Sequence, residues 1–307
     1  MAFQELENMN ISKKKLKLLV ILLTLIILSA MAYFYIKQKP YYIDSNHYLH
    51  YPLQRVAVSF SILSTNETAN FTEQKLTFTS KDISIYGLLY TPKSAEHAKL
   101  PAIVILPGGG VRKEDEARVA RFAASHGFVA FTFDQRGVGE TGSIFPSLDR
   151  DYQTFLMGKE PVQHLVIYDA LSAVDLVKQM PYVDKGNVLL MGESMGGRFT
   201  AVAAALDPGI KAAIIVSSAG YGPIKTGDAQ QQAFLDSINP DHYIALIAPR
   251  PVYFLHGQND TTIPVQNAQY TYSLANQPKQ FIYVENCGHG LCDNMMAYFA
   301  KVLEELR

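Results

Sequence analysis

The sequence predicts an α/β fold: a mostly parallel central sheet with helices on both faces, preceded by an apolar N-terminal segment. Three observations carry this. Residues 102–106, 128–133, 188–191, 212–216, 252–255 and 281–284 are short, nearly continuous apolar runs, as strands covered on both faces must be. Helical patterns alternate with these runs, which is the signature of strands joined by helical crossovers. Residues 18–36 contain no charge at all.

Taken in order, the chain opens on a basic tail, 1–17, followed by the uncharged run from Leu18 to Ile36. As a helix this run is about 28 Å long at 1.5 Å per residue, enough to cross a hydrocarbon core. Lys13, Lys14, Lys15 and Lys17 precede it, against Lys37 and Lys39 after it. The excess of positive charge predicts a single-pass signal anchor with a cytoplasmic N-terminus and an extracytoplasmic domain. Tyr33, Tyr35, Tyr41 and Tyr42 stand where interfacial aromatic anchors are expected. The competing reading is a cleaved secretory signal ending at Ala30-Met31-Ala32, although the apolar run continues past that site. Both readings export the domain.

Residues 37–73 are rich in Tyr, Ser, Asn and Thr without a sustained period, and read as a stalk and irregular lead-in. The domain proper is expected over 74–307. It begins with a hairpin, 76–79 and 83–90, around Ser80-Lys81-Asp82, whose alternation marks one solvated face. Helices are expected over 114–125, stopped by Gly127, and over 162–178, where Ile167, Ala170, Leu171, Val174 and Val177 form one stripe. Two more follow, 195–206 before Pro208, and 295–306 at the end. Two connections, 137–161 and 217–248, exceed ordinary loops and are expected to hang over the functional edge of the sheet.

A net charge of −1 with both signs interspersed removes nucleic acid from consideration. Cys287 and Cys292 lack the paired spacing of a structural zinc site, so no metal is expected. In an exported domain they either pair, closing a loop around His289, or remain free thiols. Gly108-Gly109-Gly110 is not followed by Gly-Lys-Ser/Thr, so no nucleotide cradle and no cofactor are expected.

The chemistry centres on Ser194, in Gly192-Glu193-Ser194-Met195-Gly196 between an apolar strand and an alanine-rich helix. A serine hydroxyl is a weak nucleophile and must stand clear of its neighbours to meet a base. A tight strand-to-helix turn with flanking glycines provides this. At this point the chain resembles the α/β-hydrolase superfamily from about residue 74 to its end. The dienelactone-hydrolase-like and prolyl-oligopeptidase-like branch is suggested by the initial hairpin, Gly-Glu-Ser-Met-Gly-Gly and Ala248-Pro249-Arg250-Pro251.

That resemblance implies an acid after the nucleophile and a histidine last. Val252 to Asp260 looks like the family's strand, His-Gly turn and acid loop, making Asp260 the acid; otherwise Asp260 caps the helix near Pro264. His289, between two glycines after the last apolar run, occupies the base position, whereas His256 is a turn residue. His126 precedes the helix-ending Gly127, and surface roles are expected of His47, His50, His97, His164 and His242. Met195 N–H supplies one oxyanion donor. Leu106-Pro107-Gly108-Gly109-Gly110 resembles the family's oxyanion loop, with Pro107 at the usual histidine position, and offers Gly109, or else Gly110, as the second. Asp134 and Arg136 are read as a structural pair, with a substrate-carboxylate clamp by Arg136 the alternative.

The expected function is hydrolysis of small carboxylic esters through an acyl-enzyme on Ser194. A serine peptidase acting on short or N-acylated peptides is the alternative within the enzyme class. In another class stands a membrane-tethered binding protein that keeps the fold and lacks catalysis, to be recognised by a broken triad.

Overall fold

The computed structural model describes residues 13–38, 40–96 and 98–307. The chain divides into two units, Met1–Tyr42 and Ile43–Arg307. The first holds helix α1 (Lys13–Gln38), within which the side chains of residues 17–29 are described. Among the described residues no helix is long and apolar enough to cross a membrane. This overturns the spanning anchor expected over 18–36, and with it the single-pass placement of a cytoplasmic N-terminus and an extracytoplasmic domain. Residues 1–12, Lys39 and His97 lie outside the described residues, as do the side chains of the Ala30-Met31-Ala32 site and of Tyr33, Tyr35 and Lys37.

The second unit begins well before residue 74. Among the described residues nine strands build its central sheet: β1 (Phe60–Glu67), β2 (Phe71–Ser80), β3 (Ile83–Pro92), β4 (Leu100–Leu106), β5 (Val129–Phe133), β6 (Val183–Glu193), β7 (Ala212–Val216), β8 (Val252–Gly257) and β9 (Lys279–Val284). Their order is β9-β8-β7-β6-β4-β5-β3-β2-β1. The pairs β1–β2, β2–β3 and β3–β5 are antiparallel, and every pair from β5 to β9 is parallel.

Part of the expected stalk is therefore domain. β1 escaped the sequence pattern because all eight of its residues are exposed, which leaves no alternation to detect. Upstream of β1 the chain is fastened to the domain by polar contacts. Leu49 N–H donates to the Tyr243 hydroxyl at 2.7 Å, and the Arg55 guanidinium bridges Asp175 and Asp207.

Alternate residues of the strands face opposite sides, and Ile103, Ile105, Leu189, Met191, Ile214, Val216, Tyr253 and Leu255 line one side. Helices α2 (Ala117–Ser125) and α9 (Asp293–Leu306) cover it with Val119, Ala120, Met295, Phe299 and Leu303. On α4 (Val162–Gln179) the expected stripe is fully buried. The crossover helix α5 (Met195–Leu206) packs between β6 and β7, and α8 (Val265–Leu274) between β8 and β9.

Both long connections contain helices, α3 (Leu148–Leu156) in the first, and α6 (Ala229–Ile238) with the short α7 (Pro240–Tyr243) in the second. The only buried residue of α3 is Asp151, whose carboxylate caps α4 by accepting the Val162 and Gln163 N–H groups at 2.7 and 2.8 Å.

The strand order reverses around β4, since β5 lies on one side of it and β6 on the other. Such a switch point opens a crevice at the carboxyl ends of the strands. Leu106 of β4 is level with Gly192 of β6, Glu193 with Val216 of β7, and Gly257 of β8 with Val284 of β9. The loops carrying Gly109, Ser194, Asp260 and His289 all leave this one edge.

Candidate active site

Ser194 joins β6 to α5 with φ 50° and ψ −118°, a conformation that costs a non-glycine residue about 1–3 kcal/mol. The surroundings hold it there. Its N–H donates to Val216 O at 2.9 Å, and its carbonyl accepts from the Ser218 hydroxyl at 2.6 Å and from Gly197 N–H at 3.0 Å. A Cβ at Gly192 would lie 2.3 Å from Gly196 O, and one at Gly196 would lie 2.3 Å from Leu106 O. The elbow closes only because both are glycine.

Asp260 follows β8 on a turn in which its N–H bonds Gly257 O. Its buried carboxylate accepts Thr262 N–H at 3.0 Å and Ile263 N–H at 2.8 Å, and meets His289 Nδ1 at 2.9 and 3.1 Å. These N–H groups belong to the turn before the helix that starts at Val265, which has Pro264 at its N-cap and no side-chain cap, so the carboxylate pairs with His289 and braces the turn rather than capping that helix. Burial works to raise its pKa, but the Ile263 N–H, His289 and His256 together hold it below the ordinary value. His256 braces the same turn through Ile263 O at 2.8 Å, and burial depresses its pKa, keeping it neutral. It remains the turn residue expected.

His289 sits in a loop closed by a disulfide between Cys287 and Cys292. The structure thus takes the paired alternative. Among the described residues no hydrogen bond joins the Ser194 hydroxyl to the His289 ring; Asp260 and His289 are brought together, while Ser194 and His289 are left without a contact. Contacts of this kind tighten when a substrate fills the site.

Gly108 and Gly109 pack against the elbow. A Cβ at Gly108 would stand 3.6 Å from Ser194 Cβ, and one at Gly109 would stand 3.5 Å from the Met195 sulfur. Among the described residues neither Met195 N–H nor Gly109 N–H has a hydrogen-bond acceptor, so both remain available to an oxyanion. Gln135, unremarked in the sequence, secures this loop by donating from Nε2 to Pro107 O.

Asp134 and Arg136 do not pair with each other. Asp134 accepts Lys113 N–H at 2.9 Å and Nζ at 2.7 Å, while Arg136 is held by Asp169 and Asp82. A guanidinium so occupied is not a substrate clamp. His164 is likewise no surface residue: it is buried on α4 and bonds the Ser237 hydroxyl at 2.7 Å.

A second pair of carboxyls, also unread in the sequence, lies beside the elbow. Burial first, and the charge of Glu193 second, push Glu116 up to about 9, with Arg118 opposing and Asp115 adding. Burial raises Glu193 too, against the Leu291 N–H, Arg118 and His289. The consequence for stability has a definite sign. A carboxyl raised from 4.5 to about 9 in the fold favours the native state most below 4.5 and loses that contribution as pH rises towards 9. Glu116→Gln cannot ionise, so its thermal midpoint should gain on the parent between pH 5 and pH 9. A gap that stays constant with pH, measured by calorimetry, contradicts this assignment.

With this geometry established, comparison with known proteins is informative. The profile described as "Dienelactone hydrolase family" matches residues 85–301. Protein YfhR of Salmonella typhi is 26% identical over 258 residues, covering 78% of this chain and 83% of that protein. Acetyl esterase Axe7A of Xylanibacter ruminicola is 26% identical over 239 residues, 66% of this chain and 52% of its own length. Among solved structures, acetyl xylan esterase from Paenibacillus sp. R4 superposes with a TM-score of 0.68 at 19% identity, covering 82% of this chain and 89% of that one. At that identity the likeness shows the fold, an α/β hydrolase.

Proposed function

This chain belongs to the dienelactone hydrolase family, and from that premise we propose that it hydrolyses carboxylic esters through an acyl-enzyme on Ser194. Its standing as an esterase-type hydrolase rests on the family and on the esterases among its relatives. The roles of individual residues are our reading of the site. The observation that carries it is the His289 Nδ1 contact to the buried Asp260 carboxylate at 2.9 Å, on the sheet edge where Ser194 stands in its strained turn.

In this mechanism His289 Nε2 takes the Ser194 proton as Oγ attacks the ester carbonyl. Asp260 fixes the ring with Nδ1 protonated and stabilises the imidazolium that forms. The N–H groups of Met195 and Gly109 receive the negative charge on the carbonyl oxygen, a contribution of about 3–4 kcal/mol per donor in comparable sites. The imidazolium then protonates the departing alkoxide. A water, activated by the same histidine, releases the acid from Ser194.

Small acyl groups are favoured by the names of two likenesses, an acetyl esterase and an acetyl xylan esterase. A panel of p-nitrophenyl acetate, butyrate and octanoate with N-acetylalanine p-nitroanilide, given to the purified full chain, tests the reading. Acetate and butyrate should turn over orders of magnitude faster than the anilide. An anilide rate equal to the acetate rate would establish a peptidase instead.

A further inference from the structure

We propose that Glu193 is a positioning residue for the base: by accepting the Leu291 N–H, its carboxylate ties the loop carrying His289 to the residue that immediately precedes the nucleophile. The proposal rests on the reading of Ser194 and His289 given above.

Glu193 ends β6 and is level with Val216, the residue whose carbonyl holds Ser194 N–H, so its backbone is part of the elbow itself. Its side chain reaches out of the elbow. Oε2 accepts the Leu291 N–H at 3.0 Å, joining segments 98 residues apart. The intervening Gly290 makes this approach possible: at φ 87° it suits glycine, and a Cβ there would stand 3.0 Å from Glu193 Oε2.

Leu291 is gripped through its carbonyl as well. Its carbonyl accepts from Arg118 Nη2 at 2.6 Å, while Nη1 of the same guanidinium bonds Asp293. His289 lies two residues before this clamp and inside the Cys287–Cys292 loop. The disulfide limits how far the loop can open, but it leaves the loop's tilt towards the elbow to be set. Glu193 and Arg118 set that tilt through the two peptide groups that flank Leu291.

The charges facing Glu193 are Arg118 of α2, His289 itself and Glu116 from the segment before α2, which in turn faces Asp115. The Leu291 N–H, Arg118 and His289 each favour the charged form of Glu193, and a carboxylate is the stronger acceptor for a backbone N–H. A displacement of about 1 Å in a reacting group costs on the order of a hundredfold in rate, so a tie of this kind acts on kcat.

The test uses the full chain with p-nitrophenyl acetate and compares Glu193→Ala, Glu193→Gln and Gly290→Ala with the parent. Glu193→Ala should lower kcat by about 30- to 100-fold with KM nearly unchanged. Glu193→Gln keeps an oxygen for the Leu291 N–H and should recover at least a tenfold of that loss. Gly290→Ala crowds the same contact from the loop side and should lower kcat in parallel, which preserves the test if Glu193→Ala does not fold. Glu193→Ala or Gly290→Ala within threefold of the parent overturns the proposal, as does Glu193→Gln being as impaired as Glu193→Ala. Turnover surviving in Ser194→Ala would instead overturn the underlying reading of the site.

Discussion

Ser194→Ala is expected to reduce kcat on p-nitrophenyl acetate by about a millionfold, the scale on which loss of a nucleophile removes covalent catalysis. The fold should be untouched. The strain at φ 50° is imposed by the Val216, Ser218 and Gly197 contacts to the backbone of residue 194, none of which involves its hydroxyl. Alanine therefore keeps the elbow and deletes only Oγ. The Met195 and Gly109 N–H groups remain, so substrate affinity should change little, and the residual rate should come from these donors and from binding alone. A thermal midpoint near that of the parent, together with a vanished rate, is the expected pair of measurements.

Asp260→Asn should lower kcat by about ten-thousandfold without unfolding the domain. The geometry explains both halves. Oδ1 accepts the Thr262 and Ile263 N–H groups, and an asparagine oxygen can replace it there. That choice turns the amide nitrogen towards His289 Nδ1, which then serves as the acceptor and leaves the ring proton on Nε2. A ring in that tautomer cannot take the Ser194 proton. Near-normal activity in Asp260→Asn would move the acid elsewhere on the sheet edge.

The parallel half of the sheet was legible because β4 to β8 are covered on both faces and leave apolar runs that polar loops interrupt. β1 was not, since a strand exposed along its whole length carries no period and looks like a stalk. The helix α3 was hidden for a related reason: it buries only Asp151, a capping carboxylate, and so shows no apolar stripe. Composition also misled at the N-terminus. An uncharged run read as a spanning anchor, yet among the described residues no helix is long and apolar enough to cross a membrane.

Within the proposed site, the turns carrying Ser194, Asp260 and His289 and the glycines beside them were readable because the chemistry of each turn shows in neighbouring residues. Long-range partners were not. Asp134 and Arg136 are adjacent enough to suggest a pair, but their actual partners, Lys113 and Asp169, lie 21 and 33 residues away and are fixed by packing of the crossovers. Glu193 sat in plain view inside the elbow motif. Nothing local to it announces Leu291, 98 residues on, or the buried Glu116.

The central claim, a covalent acyl-enzyme on Ser194, is tested most directly by mass spectrometry of the full chain after reaction with a fluorophosphonate. The account predicts one adduct per chain, mapped to the peptide containing Gly192 to Gly196 and absent from Ser194→Ala. An adduct on any other residue, or an unlabelled chain that still hydrolyses p-nitrophenyl acetate, would contradict it.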